Sequence, residues 1–110
     1  MLAQIRHVEA TTFRAEIFIA GDYQDALRAC REFVMVGACV SVSPCDFVYT
    51  GGAESGVRVL LINYPRFPKP SDDIMKQAVE LAEFLIERLF QSSASVVSDS
   101  GTLWLTRREE

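Results

Sequence analysis

Few side chains in this sequence are of the types that bind metal ions or act as nucleophiles. The chain contains one histidine, His7, and three cysteines, Cys30, Cys39 and Cys45. A single imidazole with no C-x-x-C spacing does not make a zinc site, so we expect no metal ion and no cofactor. Cys30 and Cys39 fall in apolar runs and are interpreted as small core residues, whereas Cys45 is expected to be exposed. Unpaired thiols are typical of a reducing compartment, so the predicted location is the cytoplasm.

Two further patterns have the spacing of functional motifs without the residue types that those motifs need. Gly51 and Gly56 are spaced as in a phosphate-binding loop, but the next residues are not Lys followed by Ser or Thr. Glu80, Glu83 and Glu87 recur every three or four residues, which is typical of the solvent-facing side of a helix. Neither pattern indicates catalysis, and the interpretation leans away from an enzyme.

The elements that position these residues begin with a strand and a helix. Residues Thr12–Ala20 alternate apolar and polar side chains, which is the period of a strand with one buried face. Asp22 has the side chain of a helix N-cap, and apolar residues then recur every three or four positions. The pattern predicts a helix over Tyr23–Val36 that ends at Gly37.

A pair of strands follows. The segment Ala38–Thr50 is rich in strand-forming residues but contains Pro44, which predicts an edge strand with a bulge or break near Ser43 and Pro44. A glycine-rich loop over residues 51–56 leads to Val57–Tyr64, the most apolar of the predicted strands and therefore the one expected at the centre of the sheet.

The last third of the chain predicts a second helix and a hairpin. Ser71 is placed to cap a helix that continues to Gln91, and the strands Ala94–Ser98 and Thr102–Thr106 flank a three-residue turn. The order is βαββαβ with one more strand, which predicts a single domain over residues 1–110 with the α+β ferredoxin-like fold. Two helices then cover one face of an antiparallel sheet, which an additional C-terminal β-strand extends. Many functions share this fold, so it does not by itself indicate an activity.

The composition restricts the classes of partner. Apolar residues make up 49% and charged residues 24% of the 110 residues, a balance typical of a folded protein. The formal net charge of −4 leaves no excess of lysine and arginine to neutralise a phosphate backbone. No apolar run approaches the roughly 20 residues that span a bilayer. We therefore expect neither a nucleic acid nor a membrane as a partner.

Two segments resemble the strand motifs of an RNA-recognition-motif domain. Ile17–Ile19 precedes the first helix, and Ser55–Leu60 opens the third strand, as the two motifs of that family do. The family places aromatic side chains that stack on RNA bases on its third strand, where this chain has Val57 and Val59. The resemblance therefore implies a shared sheet architecture without RNA binding.

Apolar side chains in excess of what one core needs indicate an interaction surface. The apolar arc of the second helix reaches about 180°, whereas packing on a sheet needs roughly 100°. Phe84 falls on the polar side of the same helix, and strand alternation sends a second set of side chains to the sheet face that no helix covers. The predicted ligand or interface residues are Phe18, Arg58, Leu60, Ile62, Tyr64, Phe84 and Trp104.

Three functions fit these observations, the third of them an acidic partner-masking protein such as an inhibitor or chaperone, which the charge of −4 allows. The first is a small homo-oligomeric binding or interaction module, a homodimer or larger, with no pocket deeper than a surface groove. The alternative is a cofactor-free enzyme or small-molecule sensor whose sheet face encloses a small apolar ligand in a dimer. That alternative requires an enclosed cavity edged by Tyr64, Arg58 and Glu16.

Overall fold

The computed structural model describes residues 3–109 and contains seven helices and strands in the predicted order. They are β1 (Arg14–Ala20), α1 (Tyr23–Phe33), β2 (Ser41–Tyr49), β3 (Gly52–Ile62), α2 (Ser71–Arg88), β4 (Ser93–Ser98) and β5 (Gly101–Thr106), with a 3-10 turn (Val34–Val36) after α1. The strands form one antiparallel sheet in the order β2-β3-β1-β4-β5. The predicted ferredoxin-like α+β fold is confirmed. Within the described chain, no helix is long and apolar enough to cross a membrane.

The middle strand β1 carries the core of the fold. Its side chains Ala15, Ile17 and Ile19 are buried on the face that the helices cover, and β3 and β4 pair with it on either side. The neighbouring buried side chains on this face are Val57, Val59, Leu61, Ala94 and Val96, and the helices add Ala26, Cys30, Ala78, Leu81 and Leu85. Because burying one large aliphatic side chain contributes about 1.5–3 kcal/mol, this layer supplies most of the stabilisation.

The ends of α1 follow the sequence signals closely. Asp22 is the N-cap, and its Oδ2 accepts a hydrogen bond of 3.0 Å from the backbone N–H of Asp25. The last turn tightens into the 3-10 turn, which ends at Gly37 with φ 100°. A β-carbon is unfavourable in that left-handed conformation, so glycine is the expected residue there.

Phe84, one of the predicted ligand or interface residues, packs against α1 within the chain. Its ring centroid lies 5.7 Å from that of Phe33 on α1, and the Arg88 guanidinium carbon lies 4.3 Å above the Phe84 ring. Arg88 also donates two hydrogen bonds to Glu32, one of them 2.7 Å from Nη2 to Oε1. This hydrogen bonding lowers the pKa of the Glu32 carboxyl. The side of α2 that the sequence pattern classed as polar therefore faces α1. A helical-wheel projection of α2 alone contains no information about this contact.

The β2–β3 hairpin differs from the prediction in two respects. Pro44 pairs with Val57 in an unbroken register from Ser41↔Leu60 to Tyr49↔Gly52, so the expected bulge is absent from this hairpin. The loop expected over residues 51–56 is a turn of two residues, in which Gly51 has φ 84°. An edge strand tolerates proline because it lacks a partner on one side. Residues of low strand propensity in β3 are held in place by their partners on β2.

Other boundaries shift by a few residues. Ser71 is the first residue of α2 and not its cap, since the N-cap is Pro70 and no side chain caps the helix. The last turn has two residues instead of three, because Ser98 and Gly101 pair directly.

The cysteines are placed differently from the prediction. Cys30 is buried as expected, and burial raises the pKa of its thiol to about 11. Cys39 is exposed because β2 begins only at Ser41, which leaves Cys39 in the connection before the strand. Cys45 is half-buried on the sheet, so the predicted exposures of Cys39 and Cys45 were wrong.

The end of α2 contains a strained residue. Phe90 has φ 55° and is the one non-glycine residue in the described chain with a positive φ. The N–H of Gln91 donates to the carbonyl of Ile86 at 3.0 Å, and the N–H of Phe90 donates to that of Glu87 at 3.3 Å. Helices that end in this hydrogen-bond pattern usually have glycine where this chain has Phe90. The Phe90 side chain is 88% exposed, so burial does not offset the strain.

Replacing Phe90 with glycine is expected to stabilise the protein. Phe90→Gly removes the clash of the β-carbon in the left-handed conformation and should raise the free energy of unfolding by about 1 kcal/mol. Urea denaturation at a fixed protein concentration, followed by circular dichroism, measures the change. Phe90→Ala is the control, because it removes the ring and keeps the β-carbon, and it should gain much less. A Phe90→Gly protein less stable than the wild type would show that the ring is packed in the folded protein.

Candidate functional site on the open sheet face

The sheet face opposite the helices is uncovered in the described chain. On β1 and β3 it carries Glu16, Phe18, Arg58, Leu60 and Ile62, because these alternate with the buried residues. We call this surface, together with the residues of β2, β4 and β5 that point the same way, the open face. Phe18, Arg58, Leu60 and Ile62 thus lie on the face that strand alternation predicted for them.

A hollow lies where two aromatic residues on the open face flank a small one. Phe18 pairs with Ser95 on β4, and Ser95 pairs with Trp104 on β5, so the three form one row. Neighbouring strands are about 4.8 Å apart, which puts the Cα atoms of Phe18 and Trp104 about 10 Å apart. The short Ser95 side chain does not fill this space, and a hollow of about 250 Å³ results.

Phe47 forms a further wall of the hollow, and a glycine allows its position. A β-carbon on Gly56 would lie 2.2 Å from Cε2 of Phe47 and 2.5 Å from the carbonyl oxygen of Ile19. Gly56 is buried, and Phe47 is half-buried. The absence of a side chain at Gly56 therefore lets the Phe47 ring lie over this position of β3.

The remaining walls are polar apart from Ile19, Ala20 and Ala94. Glu54 pairs with Phe47 across the hairpin, and its carboxylate has no hydrogen bond or ion pair within residues 3–109. On the opposite side the Nε–H of Arg108 donates to Oγ of Ser92 at 3.1 Å. The other polar lining residues are Gln91, Ser93 and Ser95. The hollow therefore offers aromatic faces, one carboxylate and several hydrogen-bonding groups in a small volume.

A charged pair lies beside the hollow on the same face. Nη1 of Arg58 is 3.8 Å from Oε2 of Glu16, on neighbouring strands. The same two charges also affect the pKa of the Cys45 thiol. Burial raises the pKa of the Cys45 thiol, the positive charge of Arg58 opposes that rise, and the carboxylates of Asp46 and Glu16 add to it. The thiol is thus held in its neutral form, which disfavours nucleophilic chemistry by Cys45.

Tyr64 lies away from the other predicted residues. It follows the end of β3 and lines a separate cleft with Phe67, whose ring centroid is 6.2 Å away. Neither Arg58 nor Glu16 lines that cleft. The expected cavity edged by Tyr64, Arg58 and Glu16 together does not form, because β3 ends at Ile62 and alternation does not extend to Tyr64.

Sequence reasoning missed Phe47, Glu54 and Arg108. The sequence analysis expected a bulge and a loop in this region, and so it did not place Phe47 and Glu54 on a strand face. The observed register of the hairpin pairs the two residues and places them on the open face. A two-residue turn at Thr50–Gly51 was the available signal, because a glycine there allows both strands to continue to the turn. Arg108 follows β5, and no pattern in the sequence points to it.

Comparisons with known proteins identify the fold. No protein-family profile matches the chain, and no curated protein matches it in sequence. A phage SAM lyase in complex with S-methyl-5′-thioadenosine aligns with a TM-score of 0.73 and 17% identity, over 97% of this chain and 100% of its own. The apo phage SAM lyase gives a TM-score of 0.75 and 17% identity, over 98% and 99%.

A second kind of protein also has this fold. CutA from Synechococcus elongatus aligns with a TM-score of 0.50 and 17% identity, over 90% of this chain and 80% of its own. At these identities the likeness shows the fold and not the activity. In the described residues, no group of three or more histidine, cysteine or acidic side chains is arranged to hold a metal ion.

Adding a methyl group at Gly56 is expected to disturb the hollow. Gly56→Ala forces Phe47 and the backbone at Ile19 apart, and overpacking of this kind costs about 1–3 kcal/mol. Thermal unfolding measures the loss of stability. The double variant Gly56→Ala with Phe47→Ala should recover part of that loss, because the clash with the ring is gone. If Gly56→Ala is as stable as the wild type, the ring does not lie over β3.

Proposed function

We propose that this protein is a homo-oligomer whose copies cover one another's open faces and enclose a small ligand in the hollow. The proposed ligand class is an adenosyl sulfonium compound, S-adenosylmethionine, or the related thioether S-methyl-5′-thioadenosine. The observation that carries the proposal is the hollow, where Phe18, Phe47 and Trp104 meet Glu54 on a face that no helix covers.

The apolar character of the open face supports self-association. Leu60 and Ile62 are only half-buried, and Trp104 is 52% exposed, although all three are large. Contiguous apolar surface of this kind on a small protein usually marks an interaction site. The charged pair of Glu16 and Arg58 lies among these residues and would orient a second copy, since like charges placed opposite each other are costly.

The tip of the β2–β3 hairpin supports the same conclusion. The last β1–β3 pair is Ala20↔Gly56, so residues 46–55 extend beyond β1 as a two-stranded arm. Val48 at its end is 80% exposed, and Tyr49 is also exposed. A two-stranded hairpin is only marginally stable by itself in water. Contact with a second copy would both bury these side chains and support the arm.

The chemistry of the hollow supports a sulfonium ligand. Cations that bind water weakly are attracted to the faces of aromatic rings, and a nearby carboxylate adds direct attraction. The hollow contains three aromatic side chains and the Glu54 carboxylate, whose charge no residue of the described chain neutralises. Its serine hydroxyls could hydrogen-bond the ribose hydroxyls that both ligands carry.

The likeness to the phage SAM lyase supports the choice of ligand. That enzyme shares the fold over almost the whole length of both chains, and its complex contains S-methyl-5′-thioadenosine. The structural likeness to CutA is weaker, and it shows that a protein of a different kind and similar size also has this fold. The ligand class therefore rests on the side chains of the hollow, and the comparison names the first compounds to test.

A charge placed on the open face is expected to break the oligomer. Ile62→Asp would bury a carboxylate in the interface, and the desolvation cost should weaken assembly by at least about 100-fold. Light scattering coupled to gel filtration at micromolar concentration measures the mass, and circular dichroism should change little. Gln24→Asp on α1 is the matched control, because it adds the same charge to the helix layer. A wild-type protein with the mass of one chain at all concentrations would overturn the proposed assembly.

Removing the charge of Glu54 is expected to affect one ligand more than the other. S-adenosylmethionine carries a positive sulfur and S-methyl-5′-thioadenosine does not. Glu54→Gln should therefore weaken binding of the first by about tenfold and leave binding of the second within about twofold. Titration calorimetry measures both affinities, and chromatography of the same mixtures reports any cleavage. Glu80→Gln, on the exposed side of α2, is the control.

Three outcomes of this titration are informative. Equal losses for both ligands in Glu54→Gln would contradict the role of its charge. Binding that is unaffected by Glu54→Gln and by Phe18→Ala would place the ligand elsewhere on the protein. If neither ligand binds the wild type, the proposed ligand class is wrong. Only the self-association part of the proposed function would then stand.

A further inference from the structure

A second cleft lies at the other end of the sheet, and it shares no lining residue with the hollow. It opens between the connection from α1 to β2, the end of β3 and the first two turns of α2. We call it the end cleft. Its volume is about 290 Å³, which suits a molecule somewhat smaller than most drugs.

The path of the chain explains why no side chain fills the end cleft. Two of the residues that line it after α1 are Gly37 and Ala38, whose side chains are too short to fill the space. A β-carbon at Gly37 would meet nothing within 4 Å. The chain between β3 and α2 contains three prolines, and its two ends are linked by Asn63, whose Oδ1 accepts a hydrogen bond from the Lys69 N–H at 2.9 Å.

The interior of the end cleft is apolar and continuous with the core. Its floor includes Leu61 and Ile74, which are buried, and its sides include Ile62, Phe67 and Tyr64. Hydrogen bonding to Cys39 raises the pKa of Tyr64, so the phenol stays neutral. An apolar molecule with a flat or branched body would displace water from these walls and gain from burial.

The polar groups of the end cleft are suited to an anion. Among residues 3–109, Lys69 is the one charged residue that lines it. The Lys69 ammonium lies 3.4 Å from the carbonyl oxygen of Gly37, longer than a usual hydrogen bond, and no carboxylate of the described chain pairs with it. Gln77 also lines the cleft, and its side-chain amide has no hydrogen bond within residues 3–109. A carboxylate at the mouth would satisfy both groups.

We propose that the end cleft binds a small aromatic or branched aliphatic carboxylic acid. The body of the acid packs between Leu61, Ile74 and Phe67, and its carboxylate accepts hydrogen bonds from Lys69 and Gln77. This site is separate from the hollow, because none of its lining residues lines the hollow, although Ile62 belongs both to the end cleft and to the open face.

Two probes of the same shape test the proposal. Indole-3-acetate and the uncharged indole-3-acetamide are titrated into the full-length ¹⁵N-labelled protein, and amide chemical shifts are followed. Saturable shifts are expected at residues 37–39, 61–64 and 74–77. The acid should bind about fivefold more tightly than the amide to the wild type, because an ion pair of this kind contributes up to about 1 kcal/mol.

The variant Lys69→Gln should abolish the preference for the acid and keep binding of the amide. Lys76→Gln is the matched control, because Lys76 is an exposed lysine on α2 that does not line the end cleft, and it should keep the preference. An amide spectrum that resembles that of the wild type confirms that each variant is folded. Shifts that map outside the end cleft, shifts that do not saturate, or a preference for the acid that persists in Lys69→Gln would each overturn the proposal.

Discussion

The alternation of side chains along β1 is the constraint on which the rest of the structure depends. Ala15, Ile17 and Ile19 must face the helices to be buried, so Glu16 and Phe18 must face the other way. Because β1 is the middle strand of five, its register with β3 and β4 passes this choice to the whole sheet. A slip of one residue would exchange the core with the open face.

The two faces of the sheet solve the problem of apolar surface differently. On the covered face, α1 and α2 pack on the strands and on each other, and the Glu32–Arg88 pair with the Phe33–Phe84 contact closes their outer seam. On the open face the chain supplies no cover, and its apolar residues surround one charged pair. A second copy could cover this face without any change in the fold, which is why the assembly and the ligand site are proposed together.

Two unusual backbone features lie at the end of the molecule that carries the hollow. Gly56 allows the close approach of Phe47, and Phe90 occupies a left-handed conformation next to Gln91, which lines the hollow. Strain of this kind persists only where the surrounding structure holds it, and it is common near functional sites. At the opposite end, the end cleft arises from short side chains, among them Gly37 with its φ of 100°, and from a stiff connection.

The sequence by itself determined the order of the elements, the covered face of the sheet and the cap at Asp22, because these depend on local periodicity and on single side chains. Tertiary structure decided the rest. The continuous β2–β3 register overrode the local signals of Pro44 and the glycine-rich segment, because pairing with another strand outweighs weak strand propensity. The packing of α1 gave Phe84 a partner, and the end of β3 at Ile62 separated Tyr64 from Arg58. Such contacts join residues far apart in the chain, and no local pattern encodes them.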